Sequence, residues 1–172
     1  MKALNTISGW PFYVSARDEK TQPRTVAGLR RAVLALPTKP RLIVVDHVGK
    51  IQPRGRYAQT RDVYREISDD LVGLVRDLDV PILVLAHIGR AVAKGTLCRV
   101  PQIEGLAECS ALEGDADSVV LMHSEAVYPT KKYEEGFGPD PSIVEFRVGK
   151  FRGTKRSKLV KLRFIGQHQV FE

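Results

Sequence analysis

The side chains best placed to do chemistry are a carboxylate and an imidazole, each ending an apolar run. Asp46 follows Leu42-Ile43-Val44-Val45, and His87 follows Ile82-Leu83-Val84-Leu85-Ala86. Aliphatic runs of this length, entered just after Pro40 and Pro81, read as strands buried on both faces, the kind found inside a parallel sheet. In such sheets ligands lie off the carboxyl ends of the strands. Asp46 is thereby delivered to the place where a magnesium–nucleotide complex would sit, the Walker B position. The plainer alternative is a carboxylate that caps a turn after a core strand. For His87 the plainer alternative is a satisfied structural histidine.

The second chemical signal is positive charge. Lys and Arg number 27 against 20 Asp and Glu, a formal charge of +7, and the sequence pI is about 9.6. A polyanionic partner fits that balance. From residue 146 to 171 there is no Asp or Glu, while Arg147, Lys150, Arg152, Lys155, Arg156, Lys158, Lys161 and Arg163 are basic. Two turn-rich stretches add cations at the ends of the apolar runs: residues 48–59 with Arg54 and Arg56, followed by Arg61, and residues 90–101 with Arg90 and Lys94. Loops leaving the ligand edge of a sheet are free to face a substrate. The competing reading is a solvated basic surface.

These groups need a scaffold, and the periodicity supplies one. Thr25 is a helix N-cap, with Val26, Leu29, Val33 and Leu36 recurring at helical spacing until Pro37. A longer helix starts at Thr60, with Val63, Ile67, Leu71, Leu74 and Leu78 on one face. Flanked by the two apolar runs it makes a βαβ unit, whose right-handed crossover puts Asp46 and His87 on the same edge. Residues 11–15 read as a short strand, 106–112 as a short helix and 117–122 as a third buried strand. Residues 129–141 form a polar insertion, and 143–148 and 159–164 an antiparallel hairpin around the basic turn 153–157. The fold class is α/β, with a mostly parallel sheet flanked by helices and a C-terminal antiparallel hairpin, in one domain over residues 1–172.

Cys98 and Cys109 make no C-x-x-C pair and no zinc-like cluster with the scattered histidines. A reducing, cytoplasmic setting is expected. No signal peptide or membrane-length apolar run is present, so no membrane partner is expected.

In their order, these motifs resemble the C-terminal RecA-like motor domain of DnaB-type replicative DNA helicases, over about residues 11–172. L-I-V-V-D (42–46) is similar to the family's Walker B strand, and V-P-I-L-V-L-A-H-I-G-R (80–90) to its sensor strand and the start of a DNA-facing loop. P-Q-I-E-G-L-A-E-C-S-A-L-E-G-D-A-D-S-V-V-L-M-H (101–123), V-G-K-F-R-G (148–153) and F-I-G-Q-H-Q-V-F-E (164–172) follow the rest of the pattern. The resemblance implies ATP and Mg²⁺ as cofactors, with Asp46 holding the metal through water. It implies that Lys150 and Arg152 match a Lys-x-Arg pair reaching the nucleotide site of a neighbouring subunit, the arginine-finger role. His87 matches the sensor position, usually Gln in the family but His in plasmid-type relatives. Arg54, Arg56 and Arg61, and Arg90 and Lys94, fall on segments that track single-stranded DNA.

The sequence also departs from the family. No G-x-x-x-x-G-K-[ST] phosphate loop occurs: Gly49-Lys50 is followed by Ile51, and Gly149-Lys150 by Phe151. The family's catalytic glutamate has no counterpart, and Ala107 stands where the family usually carries Arg. The resemblance thus implies an incomplete RecA-like core without the Walker A strand, which in the family lies between the sensor strand and the strand near residue 120. An open slot there is expected to be filled by a second copy of the chain or by a helicase chain bearing a P-loop. Two functions compete: part of an ATP-dependent helicase motor completed by another polypeptide, and a non-catalytic nucleic-acid-binding or interaction module derived from one.

Overall fold

Thr25 opens the first helix as the sequence predicts. Its Oγ1 accepts the Gly28 backbone N–H at 3.1 Å, satisfying one of the amides that a helix start leaves unpaired. Helix α1 (Val26–Leu34) ends at the Ala35 cap, ahead of Pro37, which cannot continue a helical hydrogen-bond ladder. The computed structural model describes residues 11–15, 24–87, 100–103, 106, 110–132, 134, 138–153 and 158–172.

Strand β1 (Ile43–Val45) and strand β2 (Ile82–Val84) pair in parallel, Ile43 opposite Ile82 and Val45 opposite Val84. Between them run a single 3₁₀ turn (Val48–Lys50), an irregular basic loop, and helix α2 (Thr60–Leu78). The periodicity placed α2 correctly because its apolar stripe is the core: Ile67, Leu71, Leu74 and Leu78 are buried with Val26, Ile43, Val48 and Val80. Asp79 closes α2 in the left-handed conformation at φ 49°, its N–H donating to the Val75 carbonyl at 2.8 Å. A short polar side chain tolerates that region better than most, and Val80-Pro81 then starts the next strand.

Ile67 is 1% exposed. Ile67→Ala is expected to cost about 2–5 kcal/mol, the range for truncating a fully buried aliphatic. Urea unfolding should show a lower midpoint at unchanged slope, and a midpoint equal to that of the parent chain would remove Ile67 from the core.

The remaining strands form a separate antiparallel sheet in the order β3-β4-β5-β6. It comprises β3 (Ser118–His123), β4 (Ile143–Phe151), β5 (Leu159–Ile165) and β6 (Val170–Phe171). The predicted hairpin is β4–β5, with Glu145 opposite Lys161, and these two side chains form an ion pair at 2.8 Å. Phe171 anchors β6 by edge-on contact with Phe146, centroids 5.2 Å apart, and by stacking near Phe164 at 4.9 Å. A short helix α3 (Ser110–Asp115) packs on α2. There the buried Ser68 hydroxyl donates to Asp115 Oδ2 at 2.6 Å, a satisfied polar group that ties the helices together.

Three expectations are corrected. Residues 11–15 form no strand, because among the described residues no sheet edge pairs with them, and Phe12 and Val14 lie open. The helix expected over 106–112 is described only from Ser110 and runs on to Asp115. Strands β1 and β2 are covered on one face only: Leu42, Val44, Leu83 and Leu85 are exposed. Successive side chains alternate between faces, and helix α2 covers a single side. Strand β3 repeats the pattern, with Leu121 and His123 buried but Val120 and Met122 exposed. Strands β2 and β3 do not pair with each other. No described helix is long and apolar enough to cross a membrane.

Candidate functional site

The parallel register brings the ends of β1 and β2 together. The Leu85 N–H donates to the Val45 carbonyl at 3.0 Å, and the Val48 N–H donates to the Leu85 carbonyl at 2.9 Å. Asp46 and His87 therefore lie on one edge, as the βαβ reading requires, and the His47 and His87 rings stand 4.2 Å apart. Both Asp46 and His87 are exposed. Gly49 makes room for this pair: a Cβ there would sit 2.9 Å from His47 Cε1, so a larger residue would push the imidazole off the edge. His47 carries no signal in the sequence that distinguishes it from a turn residue, and only the strand pairing puts its ring beside His87.

Asp46 supplies a carboxylate at this edge, and no group of three or more metal-binding side chains occurs among the described residues. A single exposed carboxylate fits Mg²⁺, which keeps most of its waters and takes few protein ligands. It does not fit a tightly coordinated transition metal.

Lys150 and Arg152 are brought together elsewhere. They lie two residues apart, Lys150 near the end of β4 and Arg152 just past it, and both close the end of α3. Lys150 Nζ donates to the Glu113 and Gly114 carbonyls at 2.6 and 2.8 Å. Arg152 Nη1 donates to Asp117 Oδ1 at 2.8 Å, and its Nη2 lies 3.4 Å from the Asp115 carbonyl. Cations suit these carbonyls, which the helix leaves without amide partners. Among the described residues these contacts do not reach Asp46 or His87.

The basic loop is pinned to α2 through Glu66. Its Oε1 accepts the Arg54 N–H at 2.5 Å, and its Oε2 accepts the Gly55 N–H at 3.3 Å and the Tyr57 hydroxyl. The Arg54 guanidinium bridges to Asp70 Oδ1 at 2.8 Å. The Tyr57 hydrogen bond, followed by the Arg54 amide, holds the Glu66 carboxyl below its ordinary range. The same bond to Glu66 pushes the Tyr57 hydroxyl up. A depressed carboxylate stabilises its contacts at pH above the ordinary glutamate value, and that contribution is lost as pH falls through the depressed one.

Arg56 is exposed, and Arg61, also exposed, lies 4.0 Å from Asp62. A cleft of about 270 Å³ between α2 and α3 is lined by Arg61, Arg65 and Asp69 with Asp115 opposite. Arg65 was legible only as a polar-face residue of the helix. Arg90 and Lys94, like Ala107, Cys98 and Cys109, lie outside the described residues.

Three comparisons place this geometry. The sequence matches the family described as the DnaB-like helicase C-terminal domain over residues 1–172. The replicative helicase DnaB of Leifsonia xyli is 26% identical over 165 residues, covering 96% of this chain and 34% of that protein. Its counterpart from Geobacillus stearothermophilus is 30% identical over 131 residues, covering 76% of this chain and 27% of that protein. The chain thus spans about a third or less of the curated relatives it matches. The solved ATPase domain of G40P superposes with a TM-score of 0.79 at 23% identity, covering 99% of this chain and 57% of that one. A DnaB-like replicative helicase, solved in a study of its interactions with primase, gives the same TM-score at 22% identity, covering 99% of this chain and 39% of its own. At these identities the two structures establish the RecA-like fold.

Proposed function

Because the chain belongs to the DnaB-like helicase C-terminal domain family, we propose that it acts as the carboxyl-terminal part of a replicative helicase motor and binds single-stranded DNA through its basic loops. The observation that carries this reading is the shared edge formed by β1 and β2, where Asp46 and His87 end paired parallel strands and the chain continues from Asp46 into the loop bearing Arg56 and the first turn of α2 bearing Arg61. On this reading Asp46 holds Mg²⁺ through water and His87 takes the sensor position. Bound Mg²⁺ would neutralise charge developing on a transferring phosphoryl group. Lys150 and Arg152, held rigidly against α3, serve as cations for the nucleotide site of a neighbouring subunit. Arg56 and Arg61, with Arg90 and Lys94 of the second loop, contact DNA phosphates without reading bases. A RecA-like site of this kind also needs a phosphate loop.

The sequence contains no phosphate loop, which favours the second reading, a nucleic-acid-binding module without catalysis, for the chain acting by itself. Both readings share the DNA surface, so that surface is the first thing to test. Four phosphate contacts predict that the logarithm of affinity for an oligothymidylate falls with the logarithm of salt at a slope of about −3. Fluorescence anisotropy measures it. Absence of binding at low salt, or binding that salt leaves unchanged, would reduce the loops to solvated surface.

A further inference from the structure

We infer that Glu66 is the positioning residue of the basic loop 53–59, and that Arg54 is a latch holding this loop to α2 instead of a contact to nucleic acid. The inference rests on the reading above that the loop faces single-stranded DNA, and it divides the loop's two arginines, which the sequence presents as equals in Pro-Arg-Gly-Arg-Tyr.

Glu66 and Asp70 stand one turn apart on α2, so their carboxylates share a face. Glu66 is the more enclosed, its side chain 10% exposed against 23% for Asp70. Both of its oxygens are occupied, by two consecutive loop amides and by the Tyr57 hydroxyl. A carboxylate that accepts three donors from residues 54, 55 and 57 fixes the path of the backbone, not merely one side chain. Gly55 allows that path, because a Cβ there would lie 3.1 Å from three atoms of the Tyr57 ring and side chain.

The guanidinium of Arg54 completes the latch, its Nε 3.7 Å from Glu66 and its Nη2 2.8 Å from Asp70. One cation against two carboxylates leaves this cluster with a net charge of −1 at neutral pH (+1 − 2). The Arg54 side chain is 65% exposed, so a phosphate can reach its remaining N–H groups, but there it meets the net negative charge of the two carboxylates. Arg56 stands exposed and among the described residues has no carboxylate partner, so it is the loop's cation for a phosphate.

The test combines salt dependence with amide exchange on the full chain. Each phosphate contact to a single strand contributes about 0.7 to the salt slope. For an oligothymidylate, R56A should lower the magnitude of the slope by about 0.7, whereas R54A should leave it unchanged. In an E66A/D70A background both carboxylates are removed and Arg54 is released, and adding R54A should then lower the slope by about 0.7. In the absence of DNA, E66A and Y57F should each speed amide exchange across residues 53–59 by about tenfold, as the loss of one or two hydrogen bonds implies. Exchange in α2 should not change.

Equal loss of slope in R54A and R56A overturns the inference, and so does exchange that neither E66A nor Y57F accelerates. Should E66A lose its helical circular dichroism, Y57F, which lies outside the helix, decides the exchange arm. A parent chain that binds no oligothymidylate overturns the DNA reading, and the exchange result then still decides the latch.

Discussion

Titration of ATP–Mg²⁺ into the 172-residue chain is expected to release no saturable heat at micromolar concentrations, and addition of a polypeptide bearing a P-loop is expected to bring binding back in a form that depends on Asp46. Micromolar affinity requires about 8 kcal/mol. In P-loop proteins much of that comes from backbone amides cradling the phosphates and from the lysine and hydroxyl that follow. This sequence holds no such motif. Asp46 is exposed just past β1, and a single carboxylate is a weak anchor for Mg²⁺, which keeps several waters and is otherwise held by the phosphates themselves. Lys150 and Arg152 donate to α3 carbonyls and to Asp117, contacts that do not reach Asp46, so within one chain they add no cation to a triphosphate held at this edge. Calorimetry with Asp46→Ala as control decides the matter. Micromolar binding by the chain without a partner, abolished by that substitution, would overturn the expectation and assign the edge of β1 and β2 a complete site of its own.

The second large effect concerns assembly. In light scattering the chain is expected to show at least twice its monomer mass. The described strands of the two sheets do not pair across, and each sheet carries exposed apolar side chains: Leu83 and Leu85 by β2, Val120 and Met122 on β3. Strand edges with unpaired amides and carbonyls readily add another strand, and contiguous exposed apolar patches mark association surfaces. A second copy of the chain is the expected occupant, since closed two-fold dimers are the commonest homo-oligomers. Leu83→Lys together with Val120→Lys should return the mass to that of the monomer while the far-ultraviolet circular dichroism stays unchanged, because neither side chain belongs to the buried core. A parent chain that scatters as a monomer across a wide concentration range would show that water covers these faces.

The exposed strand faces mark where sequence reasoning reached its limit. The helix Thr60–Leu78, the parallel pairing around it, the Thr25 cap and the β4–β5 hairpin follow from local pattern. Each is encoded within a few residues, by apolar spacing or by a side chain within hydrogen-bonding reach of its own backbone. The shared edge of Asp46 and His87 was legible too, because a right-handed crossover leaves a parallel pair no other arrangement.

Coverage of the strands was not legible. An apolar run states that a strand can be buried on two faces, not that the chain supplies two layers, and Val44 and Leu83 are open because helix α2 covers one face only. Nor could the sequence assign the cations their partners. Arg54 meets Glu66 and Asp70 across 12 and 16 residues, and Lys150 meets α3 across 36 or 37. A charge in a sequence is a capacity to bind, and which anion or carbonyl takes it up depends on the distances the packed elements fix. The sequence by itself determined the family, the motor-like edge and the supply of positive charge. The tertiary structure decided which of those charges hold the protein together and which face outward, since electrostatic pairing acts over a few ångströms of space and not along the chain.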